Sequence, residues 1–320
     1  MVILLNVLEI SGIILASILL IILVVSFICY KISFYNNRKG IGDYYFPNGE
    51  EYQVYRPYMK QLVDEQKLIP CEEIIIKSKD NHKLYGRYYH VEANAPVQIQ
   101  FHGYRGNGVR DFCGGNKLSR ELKHNSILVD QRGHGLSSGS TICFGVKEKY
   151  DVLEWVNYAI NRFCKDVKII LTGVSMGASS VLMSSELDLP KNVVGIIADC
   201  PYSSPKAIIK KVMKVEMKLP VKLCYPFVYL GALIYGRFNL NDKGASNAVK
   251  KSKTPILLLH GDDDSFVPLE MSQEIYENAK CYKKLAVFEK AEHGISYMVN
   301  PEKYATIVKE FTDKVIKESD

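Results

Sequence analysis

Ile169-Ile170-Leu171-Thr172-Gly173-Val174-Ser175-Met176-Gly177-Ala178-Ser179 is the stretch whose reading decides the fold. An apolar run rich in branched residues leads straight into G-x-S-x-G, and small helix-compatible residues follow, so the pattern predicts strand, tight turn, helix. A bend that sharp crowds the backbone. Gly173 and Gly177 stand where a side chain would clash, and the hydroxyl of Ser175 is left clear of the sheet edge as a candidate nucleophile. Chance alone supplies such a match in about one chain in ten of this serine content, so the motif needs partners elsewhere.

Outward from this turn, strand-like runs occupy 73–76, 84–89, 97–101, 126–130, 167–171, 193–198, 256–259 and 284–288, with Asp80-Asn81 turning the first pair into a hairpin. Helical periodicity marks 147–163, 176–185, 269–279 and 301–315 between the later runs. Strand alternating with helix predicts an α/β fold: a mostly parallel eight-stranded sheet flanked by helices. Residues 204–253 interrupt the alternation and read as a small helical cap inserted after a strand. Its first half sets Lys210, Lys211, Lys214 and Lys218 among Ile208, Ile209, Val212, Val215 and Leu219, a basic amphipathic helix ended by Pro220; its second half, 223–235, is apolar and broken by Pro226. A solvated lysine face accounts for the charges. A roof over the site, with the lysines turned to anionic lipid, is the functional alternative.

The chain of 320 residues is 47% hydrophobic and 24% charged, the balance of a folded protein with a sizeable core. Its net charge of +6 is spread without a basic block interleaved with aromatics, which argues against a nucleic-acid partner. Residues 10–30 carry no acidic or basic residue, and at ~1.5 Å per residue the run spans about 30 Å, a bilayer's hydrocarbon thickness. No basic residue precedes it and no A-x-A-like site ends it, which favours a retained single-pass membrane anchor over a cleaved signal peptide. Lys31, Arg38 and Lys39 follow it, so the positive-inside rule places the catalytic bulk in the cytoplasm. Eight scattered cysteines without zinc spacing read as small buried hydrophobes in a reducing compartment. The chain thus divides into an anchor at 1–39, a tyrosine-rich lead-in at 40–70 and a catalytic unit at 71–320.

Two carboxylate positions qualify as partners for the serine, since functional side chains of open α/β sheets collect at the carboxyl ends of strands. Asp199 ends one strand and reads as an anchor for the cap loop; Asp262-Asp263-Asp264 follows another, with Asp264 chosen and Asp263 the runner-up. Of seven histidines, His82, His90 and His124 read as surface residues, and His102 and His260 as braces of loop backbone. His134 reads as a brace of the site floor. His293, in Ala291-Glu292-His293-Gly294 between the last strand and the last helix, is the candidate base.

The order Ser175, Asp264, His293, each after a successive strand, resembles the triad order of the α/β-hydrolase superfamily. The resemblance runs from about residue 71 to the carboxyl terminus. It rests also on His102-Gly103-Tyr104-Arg105-Gly106, on Asp130-Gln131-Arg132-Gly133-His134-Gly135-Leu136-Ser137, and on the turn from His260 to Pro268. The pattern looks most like the esterase, lipase and serine-aminopeptidase-like branch with a small cap. It implies that Asp264 orients His293, that His293 takes the Ser175 proton, and that the backbone N–H groups of Met176 and Tyr104 form an oxyanion hole.

The expected activity is hydrolysis of an acyl ester, carboxylesterase- or lipase-like, on a small-molecule or lipid-like substrate through an acyl-enzyme. An aminopeptidase-like amide hydrolase and a catalytically dead binding protein are the alternatives. No metal is expected, since no His or carboxylate pair has ligand spacing on a helix, and no nucleotide cofactor, since no G-x-G-x-x-G follows a strand.

Overall fold

The computed structural model describes residues 2–37, 42–46 and 49–319, with side chains from residue 8 onward. The strands are β1 (Glu72–Lys77), β2 (Lys83–Tyr89), β3 (Val97–Phe101), β4 (Asn125–Asp130), β5 (Ile169–Val174), β6 (Val193–Asp199), β7 (Ile256–Gly261) and β8 (Lys283–Phe288). They form one eight-stranded sheet in the order β1-β2-β4-β3-β5-β6-β7-β8. Only the pairings made by β2, with β1 and with β4, are antiparallel; the rest of the sheet is parallel. The hairpin turns at Asn81, whose φ of +66° suits a short polar side chain. Helices cover both faces, so β3, β4, β6 and β7 are buried at every position, as parallel strands must be.

Register brings the functional loops to one edge. Phe101 lies opposite Gly173, Val174 opposite Asp199, and Asp199 opposite Leu259, so β3, β5, β6 and β7 end together. One face of the sheet packs on Trp155 of helix Glu148–Arg162 and Val181 of helix Met176–Ser184; the other packs on Val308 and Phe311 of helix Pro301–Lys317.

The cap consists of helix Pro205–Val215, whose N-cap Ser204 accepts from the Ala207 amide, and helix Val221–Ile234. The expected break at Pro226 does not occur. Proline this close to a helix start removes a single backbone hydrogen bond, and helix Val221–Ile234 runs through it. Helix Gly244–Ala248 leaves the roof and returns to the core, where Ala245, Ala248 and Val249 are fully buried.

Helix Val2–Ser33 is the chain's first element, and among the described residues 8–33 form the one stretch long and apolar enough to cross a membrane. Leu15 and Ile13 are 68% and 66% exposed, whereas Ser26, Tyr30 and Phe34 are buried against the cap. The helices cross closely at Gly231, where a Cβ would overlap the Ser26 carbonyl oxygen. Of the basic residues used to orient the anchor, Arg38 and Lys39 lie outside the described residues.

Candidate active site

The turn between β5 and helix Met176–Ser184 holds Ser175 at φ +54°, ψ −115°, a conformation that side-chain-bearing residues avoid. Its amide donates to the Asp199 carbonyl at 2.8 Å, which pins the turn to the end of β6. The two glycines of the motif are required by close approach. A Cβ on Gly177 would overlap the Phe101 carbonyl, and one on Gly173 the backbone of Gly177 and Ala178.

Three side chains from three loops converge at this turn. The Ser175 hydroxyl lies 2.8 Å from His293 Nε2, and His293 Nδ1 lies 2.8 Å from Asp264 Oδ2. With Nδ1–H donating to the carboxylate, Nε2 is left as the acceptor of the serine proton. The second Asp264 oxygen accepts from the Phe266 and Val267 amides at 3.0 and 2.7 Å. Burial by itself would raise this carboxyl's pKa. The attraction of His293 and the hydrogen bonds from His260, His293 and Val267 outweigh burial and hold it well below the usual carboxylate range. Asp264 therefore stays ionised, while Asp263 is exposed.

The loop after β3, the expected oxyanion loop, is held from several sides. His134 Nδ1–H donates to the Arg132 carbonyl at 3.0 Å, leaving Nε2 to accept the Arg105 amide at 3.1 Å. His102 Nδ1–H donates to the Gly103 carbonyl at 2.8 Å while its Nε2 accepts from Gln131 at 3.0 Å. Asp111 accepts the Gly103 amide at 2.8 Å. The amides of Met176 and Tyr104 donate to no acceptor among the described residues, and both residues line the cavity at Ser175. An amide at a helix start has no intrahelical partner and is free for a developing negative charge.

That cavity, of about 140 Å³, is walled by Tyr104, Phe144, Ile208, Ile209 and Val212, with no carboxylate or ammonium group among its lining. Cys200, Asp264 and His293 place potential ligand atoms within 4.8 Å of one another. The donor chemistry is poor for a metal: the acid and imidazole are bonded to each other, and burial pushes the Cys200 thiol well above its ordinary pKa, so it stays protonated.

Several expectations need correction. His124 is not a surface residue; it is buried, receives a hydrogen bond from Gln98 at 2.9 Å, and burial lowers its pKa to about 4. Asp199 anchors no cap loop. It is buried beside Ser296 and Tyr304, and burial raises its carboxyl to about 6. Tyr52, Arg105 and Asp111 were missed as contributors to the site. Tyr52 left a trace in the cluster of tyrosines in the lead-in and Arg105 in the His102-to-Gly106 motif, whereas Asp111 left none.

Residues 99–228 match the family model described as alpha/beta hydrolase fold, and 240–297 match that of serine aminopeptidase, S33. Protein YqkD of Bacillus subtilis is 26% identical over 266 residues, 76% of this chain and 87% of its own. Human protein ABHD12B is 29% identical over 161 residues, 48% of this chain and 41% of its own. Among solved structures, the esterase Pf2001 of Pyrococcus furiosus superposes with a TM-score of 0.67 at 25% identity, covering 88% of this chain and 98% of the esterase.

Proposed function

This chain is a hydrolase of the α/β-hydrolase fold with esterase-like structural neighbours, and from that premise we propose that it is a membrane-anchored serine hydrolase cleaving esters of apolar acyl groups. The observation that carries the proposal is the unbroken line from Ser175 through His293 to Asp264, with each link 2.8 Å long, at the floor of an apolar cavity.

In this mechanism Ser175 Oγ attacks the ester carbonyl carbon as its proton passes to His293 Nε2. The oxyanion is received by the Met176 and Tyr104 amides; losing one such donor typically costs about 3 kcal/mol of transition-state stabilisation. The imidazolium, stabilised by Asp264, gives its proton to the alcohol oxygen as the C–O bond breaks. Water then gives a proton to His293 and attacks the acyl carbon. The proton returns to Ser175 Oγ, and the carboxylic acid leaves.

Retention of the first helix as an anchor is supported by its carboxyl end: Tyr30 in its last turn and Phe34 just beyond it are buried among cap residues, and removing them would uncover that interior. Of the four lysines of the basic segment 208–219, Lys211 is engaged by Glu216 and Lys210 lies over the Tyr225 ring, which leaves Lys214 and Lys218 to face solvent or an anionic bilayer. The match of 240–297 to the serine aminopeptidase model favours amide hydrolysis as the second reading. A substrate amine would want a carboxylate in the pocket, and the cavity lining offers none, which supports the ester. Ser175→Ala is expected to abolish both fluorophosphonate labelling and p-nitrophenyl ester hydrolysis; turnover retained in that variant would refute the proposal. A panel of esters against aminoacyl amides separates the two substrate classes.

A further inference from the structure

We propose that the N-terminal helix is a working part of the active site: its last turn is a wall of the acyl pocket and its final carbonyls hold the oxyanion loop in place. The proposal rests on the serine-hydrolase assignment above and goes beyond membrane anchoring.

Ile32 and Ser33 line the same cavity as Ser175, together with the cap residues Ile208, Ile209 and Val212. The last carbonyls of any helix lack intrahelical donors. Here the donors come from the oxyanion loop: the Tyr104 hydroxyl bonds the Ser33 carbonyl at 2.9 Å, and Arg105 Nη2 bonds the carbonyl of Ile32 at 2.8 Å and that of Tyr35, just beyond the helix, at 3.2 Å. A guanidinium at a helix carboxyl end also meets the negative end of its dipole. Arg105 sits at φ +51°, a backbone conformation that must be imposed from outside, and its amide is fixed on the other side by His134. Tyr104, whose amide is the second oxyanion donor, is therefore clamped through its own hydroxyl and through its neighbour.

Aromatic packing runs along the same route. Phe34 meets Phe144 at 5.8 Å and Phe238 at 5.2 Å between ring centroids, and Phe144 meets Tyr104 at 5.2 Å. No slack separates helix from site, because Asn36 and Phe34 pair by backbone with Ser140 and Ile142 at 2.7 and 2.8 Å. A tether needs none of these contacts.

The consequence is a limit on the acyl group. An apolar cavity of about 150 Å³ takes a benzene-sized ligand, so this partly open cavity of about 140 Å³ suits an acyl chain of about six carbons. Of the exposed residues in its lining, Ile32 at 54% stands more open than Met217 at 46% and Phe266 at 36%, so in this proposal longer chains leave past Ile32.

The test uses the full chain in detergent micelles and p-nitrophenyl esters from acetyl to decanoyl. Ile32→Trp places a residue type suited to the membrane surface there but narrows the exit. It is expected to lower kcat/KM for the decanoyl ester by about tenfold or more beyond its effect on the acetyl ester. Arg105→Ala, by loosening the loop, is expected to lower kcat about tenfold on every ester with KM little changed, and Arg105→Lys to recover part of it. Wild-type labelling together with an unchanged chain-length profile in Ile32→Trp would overturn the wall and leave the hydrolase assignment standing. A wild type that neither labels nor turns over any ester overturns both.

Discussion

The hydroxyl of Tyr52 donates to the backbone carbonyl of His293 at 2.8 Å, so a residue of the lead-in segment steadies the loop that carries the candidate base. A half-buried hydrogen bond of this kind is worth about 1 kcal/mol. If it serves only to hold the imidazole in line with Ser175, Tyr52→Phe should lower kcat/KM by about threefold to tenfold, leaving fluorophosphonate labelling complete but slower. A labelling rate equal to wild type would show that the loop holds itself.

Asp264 and Asp263 are neighbours with opposite surroundings, one buried under four hydrogen-bond donors and one exposed. Asp264→Asn should place a hydrogen-bond donor against His293 Nδ1 or force the wrong tautomer, for a loss in kcat of about 10⁴-fold. Asp263→Asn should change turnover by less than about twofold, the ordinary outcome at a surface position. Comparable losses in the two variants would move the acid from one residue to the other.

At Ser175 activity and stability should part. A positive φ on a residue with a side chain costs about 1–3 kcal/mol, and glycine relieves it at about 0.5–1 kcal/mol of chain entropy. Ser175→Gly and Ser175→Ala should both be inactive, but only the glycine variant should melt higher than wild type, by about 2 °C. A melting temperature for Ser175→Gly below that of Ser175→Ala would mean that the elbow stores no strain.

Much of this site was legible because its groups are announced locally. Gly173 and Gly177 flank Ser175 within one turn, and Asp264 and His293 each lie on the loop that follows a strand marked by branched apolar residues. Tyr104 could be named from the glycines around it. What could not be read were the contacts made across the chain. Nothing near Ser33 says that its carbonyl will meet Tyr104, and nothing near Tyr52 points to His293, since a hydroxyl bonding a distant backbone oxygen leaves no periodicity. His124 was misplaced for a related reason: a polar neighbourhood in sequence, Lys123 and Asn125, sits where the chain enters β4, and Gln98 of β3 supplies the partner that lets imidazole be buried. Pro226 misled because its effect depends on distance from the helix start, which only the observed boundary at Val221 fixes.

His134 gives a prediction in pH. Burial, reinforced by repulsion from His102, whose ring centroid is 4.7 Å away, and from Arg105, lowers its pKa to about 3 against the opposing pull of the Arg132 carbonyl and Asp111. An unfolded histidine titrates near 6.5. Between about 6.5 and 3 the unfolded chain therefore binds a proton that the folded chain refuses, and stability rises with pH across that window. The contribution is whole above pH 6.5 and is lost as the pH falls towards the folded value. His134→Gln removes this linkage. It should be less stable than wild type at pH 8, where the Arg105 amide has lost its imidazole acceptor, and the gap should shrink by about 3 kcal/mol at most by pH 4. Over pH 5–8 the ring stays neutral in the folded protein, so the same variant should lower turnover without moving the acid limb of the rate profile. Urea unfolding at pH 8, 6 and 4.5, run beside the rate profile, checks both halves. A stability gap that widens on acidification would mean that His134 is protonated in the native state and that Arg105 is held some other way.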